Sequence, residues 1–321
     1  MIRFLIRRIV LGLITLYVIV SLVFVLYFAS QPDPAALLVG KDSTPQDIAN
    51  ITKELGLNRP LWQQYLDYLQ RVFLHFDLGT SYKSKVPVTT TILHAVPIDI
   101  SLAVGAAIIW MALGIGVGVL AARRPRSFVD RAATVFVLTG LSMPTFILGL
   151  LLLYVFFYIL TIHGIAIFPS SGNWTPFTQN PLQWAHVLIL PWITLALITA
   201  ATYSRLSRSS LLDTLGEDYI RTARAKGLSE RRVVYRHALR SALTPIVTQF
   251  GIDLATVLGG AIITETVFGL PGLGKAVVAS IGNQDLPLTQ GIVLIAAFFV
   301  VAANIVVDIF YAVLDPRVRL T

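Results

Sequence analysis

Long apolar runs alternate with shorter polar connectors along this chain, and that rhythm predicts its elements. The first run, 9–29, follows Arg3, Arg7 and Arg8 and holds 21 residues without a charge. A helix of that length crosses a hydrocarbon core of about 30 Å at 1.5 Å per residue. A cleavable signal peptide has the same basic start but a shorter apolar stretch, about 7–15 residues. Phe28 would also sit where a cut after Ser30 wants a small side chain, so the run is expected to remain as an uncleaved first span. Further runs near 98–122, 132–160, 186–203, 245–266 and 288–314 bring the number to six. The expected fold is an all-α integral membrane protein with six transmembrane helices.

The connector 31–96 is polar and mixed, punctuated by Pro32, Pro34, Pro45, Pro60 and Pro87. Within it, TPQDIANITKEL reads as a helix capped by Thr44 with Pro45 at its first position. WQQYLDYLQRVF reads as a second, with an apolar face of Trp62, Tyr65, Leu66, Leu69 and Phe73. The connector is too short for a large core of its own and is expected to lean on the membrane bundle. The chain thus divides into a first transmembrane helix (1–30), a small extracytoplasmic subdomain (31–96) and a five-helix core (97–321) with a polar loop at about 205–244.

Hydrophobic residues make up 55% of the 321 and charged residues 13%, against about a quarter charged in soluble domains, which confirms the membrane class. The net charge of +8 could suggest a nucleic-acid partner, but its distribution favours membrane lipid instead. The N-terminus, 123–131, 205–240 and the tail hold 3, 4, 9 and 2 of the 25 Lys and Arg residues. Six lie in 31–96, none in 161–185, and only Lys275 in the last connector. Basic residues mark the cytoplasmic side, so both termini of this multi-pass protein are expected in the cytoplasm. There is no cysteine, which excludes disulfides, thiolate nucleophiles and cysteine metal sites. The five histidines are scattered and no Ser/His/Asp arrangement is visible, so neither a metal site nor catalysis is expected.

The stretch DYIRTARAKGLSERRVVYRHALR is the longest strongly charged run, and it reads as helix, turn, helix. Glu217 and Asp218 suit a first turn at the positive end of a helix dipole. Ala223 and Gly227, small and four apart, leave one face open to close approach by a partner. Gly227 is a natural terminator, Ser229 a natural cap, and Thr244-Pro245 a natural start for the fifth span. An ordinary basic loop lying on anionic lipid is the competing reading. The stretch 269–276 nearly matches a phosphate-binding G-x-x-x-x-G-K-[ST] loop, but Ala276 lacks the hydroxyl for Mg²⁺ and the segment follows a span. Pro271-Gly272 reads instead as a turn at the outer mouth. Ionisable residues within spans are functional candidates, because charge in lipid is costly. Asp253 is a candidate for lining a path; Asp308 either lines it or pairs with a basic residue at the cytoplasmic rim; Glu265 faces the outer mouth or water. Gly105, Gly114, Gly116 and Gly118, with Gly251, Gly259 and Gly260, are expected to allow close helix packing. Pro144 and Pro191 are expected to kink or start helices.

The charged stretch resembles the cytoplasmic coupling loop of ATP-binding-cassette importer membrane subunits, and more narrowly the B-type permease subunit of dipeptide and oligopeptide importers. The likeness runs the whole length, through IRRIVLGLITLYVIVSLVF, QPDPA, LGLNRPLWQQY, FDLGTSY, LSMPTFILGLLL, ETVFGLPGLGKAV, PLTQGIVL and VDIFYAVLDPRVR. The resemblance implies that the loop's short helix docks in a groove of an ATPase subunit. That role falls on Glu217, Asp218, Tyr219, Arg221, Ala223, Arg224, Lys226, Gly227 and Leu228. The broader importer pattern has a Glu-Ala-Ala start and a later proline; aligned on Gly227, those positions hold Arg221-Thr222-Ala223 and Arg240, a departure that fits the peptide-importer branch.

The resemblance further implies a bacterial or archaeal cytoplasmic membrane and a heterodimer with a C-type permease subunit, two ABC ATPase domains below and an extracytoplasmic solute-binding protein above, with a peptide substrate crossing between. ATP and Mg would be bound by the ATPase subunits and no cofactor by this chain. Its path candidates are Asp253, Glu265, Asp308, Pro271 and Gly272. Related permeases carry nickel, glutathione or other small solutes, so cargo stays open. A secondary transporter would often show inverted repeats and more intramembrane charge and would leave the basic loop unexplained; a membrane scaffold without transport is the remaining alternative.

Overall fold

The computed structural model describes residues 2–30, 44–54 and 58–314, and these are helical, with no strand beyond one bridge between Thr80 and Pro87. The QPDPA and DPRVR segments lie outside the described residues. The first span is α1 (Ile2–Ser30). The connector contributes α2 (Pro45–Glu54), starting at the expected proline, and α3 (Leu61–Gln70), which continues through a widened turn at Arg71–His75. Then come α4 (Val88–Arg123), α5 (Phe128–Ser142) and α6 (Thr145–Ile162). α7 (Pro181–Leu215), α8 (Asp218–Ala225), α9 (Glu230–Ala242) and α10 (Thr244–Leu258) follow. The chain closes with α11 (Ile262–Val267), α12 (Leu273–Gly282) and α13 (Leu286–Leu314).

Five of these helices are long and apolar enough to cross a membrane, and α9 with α10, bent by 51°, makes up to six. Two expected spans are broken. The run 132–160 divides into α5 and α6 because Pro144 holds Met143 extended, at φ −93° and ψ 119°. The run 245–266 ends at Leu258, because Gly260 carries the backbone against Gly274. A Cβ on Gly260 would lie 2.7 Å from the Gly274 nitrogen. The second and fourth spans are longer than their apolar runs. α4 begins at Val88 inside the connector and passes Pro97 without ending; α7 continues to Leu215, starting behind Asn180, whose side chain accepts from the Gln183 amide.

α4 and α7 form the most extensive helix pair and the centre of the bundle. Their seam is made of small residues. Gly114 and Gly118 of α4 meet the backbone of α7 near Ala200 and Ser204, and Gly105 lies under the Trp192 indole, which donates to the Ser101 carbonyl at 2.8 Å. Small side chains let helices approach closely enough for dispersion to act without a hydrophobic drive. Gly116 meets nothing within 4 Å, so the expected packing role holds for its neighbours and not for it. On the far side α13 packs on α10 through Gly251 and Val307 and on α1 through Gly12 and Val301. At the start of α5, Asp130 takes both Arg208 Nε (2.6 Å) and Nη2 (3.0 Å), tying that helix to the basic end of α7.

Candidate functional site

α7, α8 and α9 place the basic loop. Gly227, at φ +77°, ends α8 in the left-handed conformation that glycine adopts without Cβ strain, and the chain turns back into α9. Leu228 and Gly227 amides donate to the Ala223 and Arg224 carbonyls, at 3.4 and 2.9 Å. Ser229 occupies the expected cap position of the next helix without a capping side-chain bond, and Thr244 lies inside α10 rather than before it.

α8 has two faces. Ile220 and Ala223 are buried against Val119, Leu211, Val233, Val234, Ala238 and Ala242, with Leu228 half-buried beside them. Glu217, Asp218, Tyr219, Arg221 and Lys226 are exposed. Ala223, 7% exposed, packs its small side chain inside the loop's own core rather than on the outward face of α8. Gly227 faces open space, so its conformation, not crowding, requires glycine. Arg224 locks the loop, donating from Nε and Nη2 to Glu230 at 3.1 and 2.8 Å and lying 3.5 Å from the Leu215 carbonyl. Its guanidinium holds the Glu230 carboxyl below the usual carboxylate range. The Arg221–Asp218 pair, 3.2 Å apart and 73% and 95% exposed, adds little, because solvent screens it. Tyr219 Oη contacts Ser241 Oγ at 3.1 Å, a second strut between α8 and α9. The outcome is a short helix held rigidly from behind with a charged, aromatic-bearing face turned outward.

The carboxylates of the path list fall in three separate settings. No hydrogen bond or ion pair joins Asp253, Glu265 and Asp308 to one another among the described residues. Asp308 pairs with Arg8 at 3.1 Å, the rim pairing weighed against a path role. Asp253, half-buried on α10, accepts from Gln249 Nε2 at 3.0 Å. Its other oxygen, the Tyr203 hydroxyl and Trp110 Nε1 lie next to one another, short of good hydrogen-bond geometry. Trp110 packs on Tyr203 and Phe250, with ring centroids 6.2 and 6.3 Å apart. Buried polar groups are costly unless paired, so this loosely paired cluster is where a change at Asp253 is felt. Asp253→Asn is expected to change uptake at least about threefold, the scale of one hydrogen bond, with the amount of chain in the membrane unaltered. Unchanged uptake would return Asp253 to a packing role.

Glu265 corrects the expectation of exposure to water: it is completely buried. Its Oε2 accepts the Lys275 amide at 2.8 Å, and Asp99, equally buried, accepts the Leu273 amide at 2.9 Å. The remaining carboxyl oxygens, Asp99 Oδ1 and Glu265 Oε1, are buried beside one another without a partner of good hydrogen-bond geometry. Asp99 is the residue sequence reading missed; a charge eleven positions into α4 was the available signal. The two carboxyls occupy the start of α12, taking the Leu273 and Lys275 amides that a phosphate loop would turn toward an anion. The expected turn at Pro271-Gly272 is also displaced. Gly269 (φ +67°) makes the reversal, Pro271 is exposed, and Gly272 is buried with its Cα against Glu265, where a Cβ would lie 2.5 Å from Oε2.

An all-helical bundle with five or six candidate spans and a short helix braced at its basic end has the build of an integral membrane protein. Residues 114–320 match the family of binding-protein-dependent transport system inner membrane components, and residues 1–103 match the N-terminal region of such components. The chain belongs to this family. It is 39% identical to the dipeptide transport system permease protein DppB of Escherichia coli K12, over 99% of both chains. It is also 39% identical to a putative peptide transport system permease protein of Brucella abortus (98% of both chains) and to a probable peptide ABC transporter permease protein of Sinorhizobium fredii (98% of this chain, 99% of that one). Among solved structures, inward-facing forms of the MetNI methionine ABC transporter share its fold, with a TM-score of 0.52 at 20% identity, covering 70% of this chain and 97% of that one.

Proposed function

We propose that this chain forms half of the translocation path of an ATP-driven importer of dipeptides and oligopeptides in a bacterial cytoplasmic membrane. The other half is a C-type permease subunit. Two ABC ATPase domains dock at the basic, cytoplasmic end, and a solute-binding protein delivers cargo at the other. ATP and Mg are bound by the ATPases; this chain makes and breaks no bond. The observation that carries the reading is α8, braced by Ile220, Ala223 and the Arg224–Glu230 pair, with Asp218, Tyr219, Arg221 and Lys226 turned outward. A helix fastened this firmly moves with α7 and α9 as a unit. Closing motion of an ATPase is thereby converted into movement of the spans, and ligand binding shifts the balance between inward- and outward-open states. Peptide cargo is favoured over nickel or glutathione by the full-length identity to peptide permeases.

Purification of the tagged chain from native membranes in mild detergent tests this. A second permease subunit and ABC ATPases are expected to accompany it, and the binding protein of the same complex is expected to take up short peptides. A chain that emerges alone and moves solute in ATP-free vesicles would replace the reading with a secondary transporter; a complex whose binding protein takes only a metal or glutathione would keep the importer and change its cargo.

A further inference from the structure

α3 does not stand clear of the membrane region. Tyr65 reaches Ser21 Oγ at 2.6 Å and Tyr17 Oη at 3.0 Å, and Phe24 packs on Tyr65 and Tyr68, with ring centroids 5.2 and 5.4 Å apart. Leu69 and Val72 join Val20, Val23 and Leu294 in one cluster. The apolar stretch of α1 runs from Ile6 to Leu26, so contacts from Tyr17 to Phe24 lie about 3 to 14 Å inside its outer end at 1.5 Å per residue. α13 gives the same height independently: Leu294 is eight residues, about 12 Å, below Leu286. A bilayer that covers α1 also reaches α3.

Beside the side of α3 that meets α1 runs an exposed, mostly apolar stripe in which Gln70 is the polar exception. Trp62, Leu66, Leu74 and Phe76 are 62%, 53%, 70% and 73% exposed, and Phe73 lies in the same stripe. Leu22, Val25 and Leu26, in the same stretch of α1 that α3 packs against, are also more than half exposed. Polar groups at its margin are neutralised locally: Arg59 pairs with Asp67 at 3.0 Å, and Gln64 donates to the Arg59 carbonyl at 2.7 Å. Tryptophan beside an apolar stripe and an ion pair is the composition of a helix lying at a lipid–water boundary.

We infer that α3 is a membrane-interface helix: its Trp62–Leu66–Phe73–Leu74 face rests in the acyl and headgroup boundary of the outer leaflet, extending the lipid-facing surface of α1. The connector after the first span is thereby anchored to lipid as well as to the bundle, which fixes the height at which the loop 79–87 meets the start of α13 through Ser81 and Asp285. The inference depends on the membrane class of the chain and not on its cargo.

The test uses the assembled transporter in liposomes of phosphatidylethanolamine and phosphatidylglycerol, with partner subunits lacking cysteine. This chain has no cysteine, so Leu66→Cys, Leu74→Cys and Gln63→Cys each carry a single spin label. Labels at 66 and 74 are expected to be relaxed several-fold more strongly by oxygen than by a water-soluble nickel chelate, and the label at 63 less so. Stronger relaxation by the nickel chelate at 66 and 74 would place the face in water, free for the binding protein, and overturn the inference. Protection from both would place it under another subunit and overturn it equally. As a check on unlabelled protein, lipids brominated along the acyl chain are expected to quench a tryptophan component that disappears in Trp62→Phe; no such component would also sink the proposal.

Discussion

Leucine at Ala223 is expected to lower cargo-stimulated ATP hydrolysis by the assembled complex about tenfold or more, while the chain still reaches the membrane in normal amount. Ala223 is 7% exposed, between Ile220 and the α9 residues Val233, Val234 and Ala238. Three added heavy atoms overpack such a site at a cost of about 1–3 kcal/mol, and a factor of ten corresponds to about 1.4 kcal/mol. The strain is relieved most easily by lifting α8 from α9, because α8 has eight residues and its other face is free. The docking face then keeps its residues but loses its position. Gly227→Asn is expected to be much milder, since asparagine tolerates the left-handed conformation and no atom lies within 4 Å of the new Cβ. ATPase assays with and without binding protein and cargo, beside uptake in proteoliposomes, measure both. Normal coupling in the leucine variant would mean that the position of α8 is not what the ATPase reads.

The second large effect concerns assembly. Gly118→Val is expected to reduce the chain in membranes at least about tenfold, the consequence of overpacking at or above about 3 kcal/mol. A Cβ at 118 would lie 2.6 Å from the Ser204 carbonyl oxygen and 3.1 Å from the Arg208 nitrogen. Both are backbone atoms of α7, so no rotamer change makes room. Gly116→Val, two residues away on the open side of the same helix, is expected to be nearly silent. Immunoblots of membranes expressing each variant at equal transcript level decide it, and equal abundance of the two would remove the α4–α7 seam as the centre of the bundle.

Membrane class, the number of apolar runs and the punctuation at Pro45 and Gly227 were legible in the sequence because each depends on local chemistry alone. A run of about 20 apolar residues is a one-dimensional quantity set by the thickness of hydrocarbon, and a glycine after a helix ends it through its own dihedral freedom. The basic loop was legible as a loop, and its charged residues lie on the outside. Which of its small residues faced a partner was not. Helical spacing places Ala223 and Gly227 near one another but cannot say that Ala223 points into the chain's own core.

The buried pair of Asp99 and Glu265 lay further beyond reach. The two residues are 166 positions apart, and only the packing of α11 and α12 against α4 brings them together over the Leu273 and Lys275 amides. That packing also ended the fifth span at Leu258, and the α4–α7 seam separated Gly118, which is pressed on α7, from Gly116, which meets nothing. By itself the sequence determined what this chain dissolves in, how many times it can cross and where its charged loop lies, because solvation is a property of each segment. Tertiary structure alone decided which faces are spent inside the molecule and which remain for other subunits and for lipid, because every apolar or small face fits several neighbours until one backbone approaches another.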